Sequence, residues 1–217
     1  MAPVHYHKGL FPPKELNWDE LLPLIGPANR ALARYDGLLS AIPNAFVLLS
    51  PLTAQEAVLS SRIEGTQATL GEVLEYEAGM VPEDDSPEKR GDIQEVLNYR
   101  KAMAEALEQL RGMPLCGRVI KNVHRVLMSG VRGRNSDPGE YKKIQNWIGP
   151  KGCKIEEAKF IPISPAELPQ AMGTWEKLIH SKYKDELVQL ALLHAEWLCK
   201  FFSVNLLVCH RWLVRSV

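Results

Sequence analysis

The chain has no excess of either charge: 26 Lys and Arg stand against 26 Asp and Glu over 217 residues. A protein whose main partner is nucleic acid carries a basic face. Here only Lys142-Lys143 and the neighbouring Arg132 and Arg134 cluster, and they read as solvated surface, so no nucleic-acid partner is expected. Cysteine is sparse. Cys116, Cys153, Cys199 and Cys209 show no C-x-x-C spacing, which argues against a disulfide framework or a zinc site and fits a reducing cytoplasm. Met1-Ala2-Pro3-Val4-His5-Tyr6-His7 lacks the apolar core of a signal peptide. The one long apolar stretch, Leu190 to Val208, is interrupted by His194, Glu196, Lys200 and Asn205. Central charges are costly in lipid, so this stretch is expected as a buried helix and no membrane partner is expected. Gly130 to Pro150 has neither a Walker nor a dinucleotide pattern. His124 has no second ligand at metal-binding spacing, so it is expected to pack rather than bind metal. There are no internal repeats.

What is present is an ordinary apolar fraction, 46%, in an all-α pattern with one β element. Leu21, Leu24, Ile25, Ala28, Leu32 and Tyr35 have helical spacing. Pro23 and Pro27 break the early turns, so the first helix is expected to begin near Pro27. Thr53-Ala54-Gln55-Glu56 has capping-box form and predicts a helix from Thr53 to Gly65. A short helix over Leu70–Glu77 follows. Gly79 to Gly91, with Pro82, Pro87 and the acidic run Glu83-Asp84-Asp85, is expected to be a loop between an N-terminal region (1–80) and a main domain (88–217). Glu88 to Arg111 is amphipathic with Ile93, Val96, Leu97, Ala104 and Leu107 on its buried side. Pro114–Ser129, Pro165–His180 and Asp185 to about Val208 complete the helices. Asn146 to Ile163 is expected as a β-hairpin around Lys151-Gly152.

The most informative stretch is Ser60-Ser61-Arg62-Ile63-Glu64-Gly65-Thr66-Gln67-Ala68-Thr69-Leu70. Ser60 and Glu64 are four apart and share a helix face, and Gly65 stands where helices prefer to stop. A carboxylate on the last turn faces the negative end of the helix dipole and calls for a cation from elsewhere. A capped helix with an exposed glutamate would show the same residues.

Ser-x-x-x-Glu-Gly in this setting resembles the inhibitory-helix motif of Fic proteins, enzymes that transfer AMP from ATP onto protein hydroxyls. Ala28-Asn29-Arg30-Ala31-Leu32-Ala33-Arg34-Tyr35-Asp36-Gly37-Leu38 resembles the first helix of the Fic N-terminal region. Gly139-Glu140-Tyr141 through Gln145-Asn146-Trp147-Ile148-Gly149 is similar to the stretch leading into the family's flap hairpin. Phe160-Ile161-Pro162-Ile163-Ser164-Pro165 is similar to the hairpin's end. The resemblance runs from about residue 12 to Glu196. It implies a Fic-like helical bundle with a small flap, ATP and magnesium as cofactors, and a target protein as partner. It also implies an inhibitory group at Ser60, Glu64 and Gly65, and a target-binding flap at Gly149, Lys151, Gly152, Phe160 and Ile161. A surface hairpin without a partner is the plainer reading of those last residues. A homo-oligomer is compatible with all of this.

After His194-Ala195-Glu196 the family continues to His-Pro-Phe-x-x-Gly-Asn-Gly-Arg. This chain continues Trp197-Leu198-Cys199-Lys200-Phe201, and neither His-Pro-Phe nor Gly-Asn-Gly occurs in it. In the family the histidine is the general base and the glycine turn cradles phosphates. The resemblance therefore implies no catalytic residue here and no built seat for ATP or Mg2+. The expectation is a Fic bundle truncated or altered before its catalytic loop and inactive in AMP transfer. The alternative is a non-catalytic regulatory or protein-binding module. The arginine that Glu64 would meet is missing from its family position; Arg211 and Arg215 offer charge only, and His210 has no Pro-Phe after it.

Overall fold

A computed structural model describes residues 2–63, 65–81, 86–130, 137–150 and 152–201, without the side chains of 45–50, 63, 200 and 201. Seven helices make up most of the described residues: α1 (Trp18–Ser40), α2 (Ala45–Ile63), α3 (Leu70–Glu77), α4 (Pro87–Gly112), α5 (Gly117–Leu127), α6 (Leu168–Ile179) and α7 (Glu186–Phe201). Two short strands, β1 (Val4–His5) and β2 (Phe160–Ile161), pair in parallel.

α4 is the central element, with α2, α3 and α5 packed against it. Ser86 caps its start by accepting the Lys89 N–H at 3.2 Å, with Pro87 in the tolerated first turn. Its buried face is Ile93, Val96, Leu97, Tyr99, Ala102, Met103 and Ala106. Ala104 and Leu107 are exposed, against expectation. At about 100° per residue, Ala104 lies on the far side of the helix from Ala102. Ala102 and Ala106, four apart, form the small-residue face that lets neighbouring helices approach. α5 buries Val119, Ile120, Val123 and Leu127, the stripe its spacing predicts. Trp175 of α6 and Trp197 of α7 close the core with ring centroids 5.1 Å apart, and the Trp175 indole N–H donates to the Leu193 carbonyl at 2.9 Å. One apolar cluster contains Ala57, Val58, Ala68 and Val73 together with residues of α4 to α7. The expected N-terminal region and main domain thus share a single core.

Two helices begin earlier than their local signals suggest. α1 runs unbroken from Trp18 with Pro23 and Pro27 inside it. The two prolines are four apart, so the ladder bonds they remove lie on one side of the helix. α2 begins at Ala45 and carries Pro51 in its interior. Glu56, expected to cap a helix start at Thr53, instead accepts the Ser60 hydroxyl at 2.9 Å. The capping box that does form is Thr69 with Glu72, at the start of α3. No residue of α1 is buried, and Leu22, Leu24, Leu32, Tyr35 and Leu38 stand exposed.

The expected hairpin over 146–163 is reduced to a single antiparallel bridge, Ile148 with Phe160. The Ile148 N–H donates to the Phe160 carbonyl at 2.9 Å, and the Phe160 N–H returns to Ile148 at 3.2 Å. A 3-10 turn at Ile155–Glu157 interrupts the second arm, so a longer antiparallel ladder has no continuous strand to form on. The main partner of β2 is β1, in the register Val4 with Phe160 and His5 with Ile161.

Candidate functional site

The end of α2 is built as a helix stop and fastened to α4. The Gly65 N–H donates to the Arg62 carbonyl at 3.0 Å and the Thr66 N–H to the Ser61 carbonyl at 3.2 Å, the two bonds of a Schellman motif. Gly65 has φ +103°, a conformation in which a Cβ is strained. Ser60 and Ser61 are buried. Glu64 lies outside the described residues, so the partner of Ser60 shown here is Glu56, one turn earlier. Arg211, Arg215 and His210 also lie outside them.

Beyond Gly65 the chain is clamped. The Gln67 N–H donates to the Asp92 carboxylate of α4 at 2.5 Å, and Asp92 is buried. Lys89, one turn earlier on α4, donates to the Gln67 carbonyl at 3.1 Å and pairs with Glu72 at 2.6 Å. Glu72 in turn accepts the Thr69 N–H at 2.7 Å. Burial would raise the Glu72 pKa, but the Lys89 ammonium and the Thr69 donors outweigh it and hold the carboxyl below its usual range. Sequence reasoning singled out Ser60 and Gly65 but not Asp92 or Lys89, which hold the chain beyond them. An Asp and a Lys on an amphipathic helix carry no mark of such a role.

The second group is the flap with its approach. The Gly139 N–H donates to Nδ1 of His124 at 2.8 Å. Lys121 pairs with Glu140 at 2.9 Å and lies over the Tyr141 ring, 4.5 Å from its centroid. The Gly-Glu-aromatic sequence is therefore a clasp on α5. The Gln145 amide donates to the Pro162 carbonyl at 3.0 Å and the Trp147 indole to the Cys153 carbonyl at 3.1 Å, which ties the two arms of the flap together. A Cβ on Gly149 would lie 2.5 Å from the Cys153 sulfur and 3.3 Å from Ala158 Cα. Gly152 sits at φ +79° in the turn closed by the Cys153 N–H to Pro150 carbonyl bond of 3.0 Å. Lys151 lies outside the described residues. Phe160 and Ile161 form β2 itself and are half-buried. Burial pushes Lys142 down to about 8, while its ammonium donates to Asn146 at 2.5 Å.

His124 packs as expected, and its geometry has a pH consequence. Burial, then the charge of Arg125, holds its pKa below the ordinary 6.5, and Nδ1 can accept from Gly139 only while unprotonated. As pH falls, the unfolded chain therefore takes up this proton before the folded one. The stabilisation is complete above pH about 6.5 and is lost on acidification until the folded imidazole itself protonates. Urea midpoints should fall between pH 7 and 5 in the native protein and fall less in His124→Gln. Parallel curves for the two proteins would contradict this role.

A third group was not foreseen. Glu196 of α7 is 2% exposed. The Tyr6 hydroxyl donates to one of its oxygens at 2.5 Å, and Nε2 of His7 lies 2.8 Å from the other. Burial first, and the Glu196 carboxylate second, push the Tyr6 phenol well above its ordinary pKa. Neighbouring residues on a strand point to opposite faces. Tyr6 and His7 share one because the chain turns tightly there: the Lys8 N–H donates to the Tyr6 carbonyl at 2.9 Å. Lys8 pairs with Glu167.

Among the described residues, no three His, Cys, Asp or Glu side chains converge as metal ligands. Neither His-Pro-Phe nor Gly-Asn-Gly occurs in the sequence. None of the described helices is long and apolar enough to cross a membrane.

Residues 22–108 match the family described as Fic/DOC family N-terminal. That segment contains α2, the Gly65 stop and the Asp92–Lys89 clamp, and it runs through the loop expected to divide the chain. The fold is similar to that of a Fic family protein from Desulfovibrio desulfuricans G20, with a TM-score of 0.62 over 90% of this chain at 15% identity. The chain spans 57% of the length of that protein. The chain thus carries a segment, residues 22–108, that matches the Fic/DOC N-terminal family in sequence, within a helical fold similar to that of a Fic family protein.

Proposed function

We propose that residues 1–217 are the regulatory and target-docking part of a protein related to adenylyltransferases, and that they do not transfer AMP by themselves. The observation that carries this reading is the end of α2. Helix α2, which carries the buried Ser60, stops at Gly65, and the chain just beyond it is fastened to α4 by Asp92 and Lys89, inside the segment matched to the Fic/DOC N-terminal family. A clamp of this kind supports an inhibitory role for Ser60, Glu64 and Gly65, because a blocking carboxylate acts only if its helix end is held in place. The intact catalytic unit would use ATP and Mg2+, and the target would be a protein hydroxyl. The His-Pro-Phe and Gly-Asn-Gly elements for that chemistry are not in this sequence.

A second reading, a non-catalytic binding module, is favoured by α1, whose Leu24, Leu32, Tyr35 and Leu38 are more than half exposed. Incubation of the purified chain with labelled ATP, magnesium and cell lysate separates activity from its absence. No labelled protein is expected, and clear self-labelling would contradict the proposal.

A further inference from the structure

Strand β2 has no free edge. Ile148 pairs with Phe160 on one side, and residues 4–6 occupy the other, where the Val4 N–H donates to the Lys159 carbonyl at 3.1 Å and the Tyr6 N–H to the Ile161 carbonyl at 2.9 Å. A protein segment cannot add to this strand by main-chain pairing while both sides are filled. The antiparallel side belongs to the flap itself and is covalently close. The parallel side is filled from the far end of the chain.

That occupant is held in an unusual way. None of residues 2–10 is buried, and Val4 and Leu10 are 64% and 69% exposed. Its attachments are mostly polar: main-chain pairing with 159–161, Tyr6 and His7 on Glu196, and Lys8 on Glu167, with the Tyr6 ring alone packed partly buried against the core. A cleft of about 200 Å³ lies between its turn (Lys8, Gly9, Phe11) and α6 (Gln170, Ala171, Thr174). Polar attachments with little apolar burial, here only the half-buried Tyr6 ring, can be traded for water when the segment lifts, and a lifted arm opens Glu196 to solvent. We infer that residues 2–10 are an exchangeable strap on β2, a self-inhibitory strand that must leave before an extended segment of a target protein docks in its place. The incoming segment is one that offers backbone N–H groups at alternate residues to the carbonyls of 159 and 161, and a hydroxyl or imidazole to Glu196. This rests on the target-docking role proposed for the flap, but neither readout below involves ATP, so the two ideas can fail separately.

The test uses a fluorescent peptide with the sequence of residues 2–10 and the full-length chain, read by anisotropy. The double variant Tyr6→Phe/His7→Ala weakens the resident strap while the peptide keeps both side chains. It should bind the peptide at least about tenfold more tightly than the native chain. Equal affinity for the two chains, or no binding to the folded variant, would overturn the inference. Hydrogen exchange on the native chain gives an answer even if the variant does not fold. The Val4 and Tyr6 amides should exchange by local opening, well before the α4 core; protection of these amides equal to that of α4 would also overturn it.

Discussion

Gly139→Ala is expected to destabilise the protein by about 2–5 kcal/mol. Two independent costs meet at this position. Gly139 has φ +84°, which costs a residue with a Cβ about 1–2 kcal/mol. The new methyl would also lie 2.8 Å from the Lys121 carbonyl oxygen and 2.9 Å from the Arg125 guanidinium. The arginine tip can swing away, but the carbonyl belongs to α5 and cannot, so the clasp of 139–141 on α5 must open. Gly152→Ala is the control. It shares a positive φ, +79°, but nothing lies within 4 Å of its added Cβ, so only the backbone cost should remain. Urea unfolding of the two variants should separate them by more than about 1 kcal/mol. Equal losses would show that the approach of Gly139 to α5 is not close.

Asp92→Ala is expected to cost about 1.5–3 kcal/mol, the range for a hydrogen bond to a charged group. The buried carboxylate accepts the Gln67 N–H, and alanine leaves that amide without its acceptor. Asp92→Asn keeps an acceptor oxygen at the same place and should lose under about 1 kcal/mol. The loss should also be local, with amides of Thr66 to Ala68 exchanging faster in Asp92→Ala while α5 stays protected. An alanine variant as stable as the native chain would remove the clamp from the account of the α2 end.

These variants mark where sequence patterns carry structural information and where they do not. Helix α3 could be placed at Leu70–Glu77 from its residues alone, and it spans those residues. The apolar stripe of α5 was equally readable, because a helix packed on one face repeats its burial at local spacing. Proline misled at α1, and the capping-box form of Thr53 to Glu56 misled at α2. Pro23, Pro27 and Pro51 are local signals, and the helices run through them. The flap was read as a hairpin because Gly152 marks a turn, while the partner that β2 takes lies over 150 residues away in the chain. The Tyr6–Glu196 bond spans 190 positions, and no periodicity or spacing rule reaches that far. Asp92 escaped notice for the same reason: its acceptor role is set by Gln67, 25 residues earlier.

The central claim is that the helix ending at Gly65 holds an inhibitory group, with Glu64 as its acting side chain. It is tested most directly by restoring a His-Pro-Phe-x-x-Gly-Asn-Gly-Arg segment after Glu196 and measuring AMP transfer from labelled ATP with and without Glu64→Gly. The account predicts that the restored chain is weakly active and that Glu64→Gly raises its rate about tenfold or more, a change of at least about 1.4 kcal/mol in barrier. A restored chain that transfers AMP equally well with either residue at position 64 would contradict it.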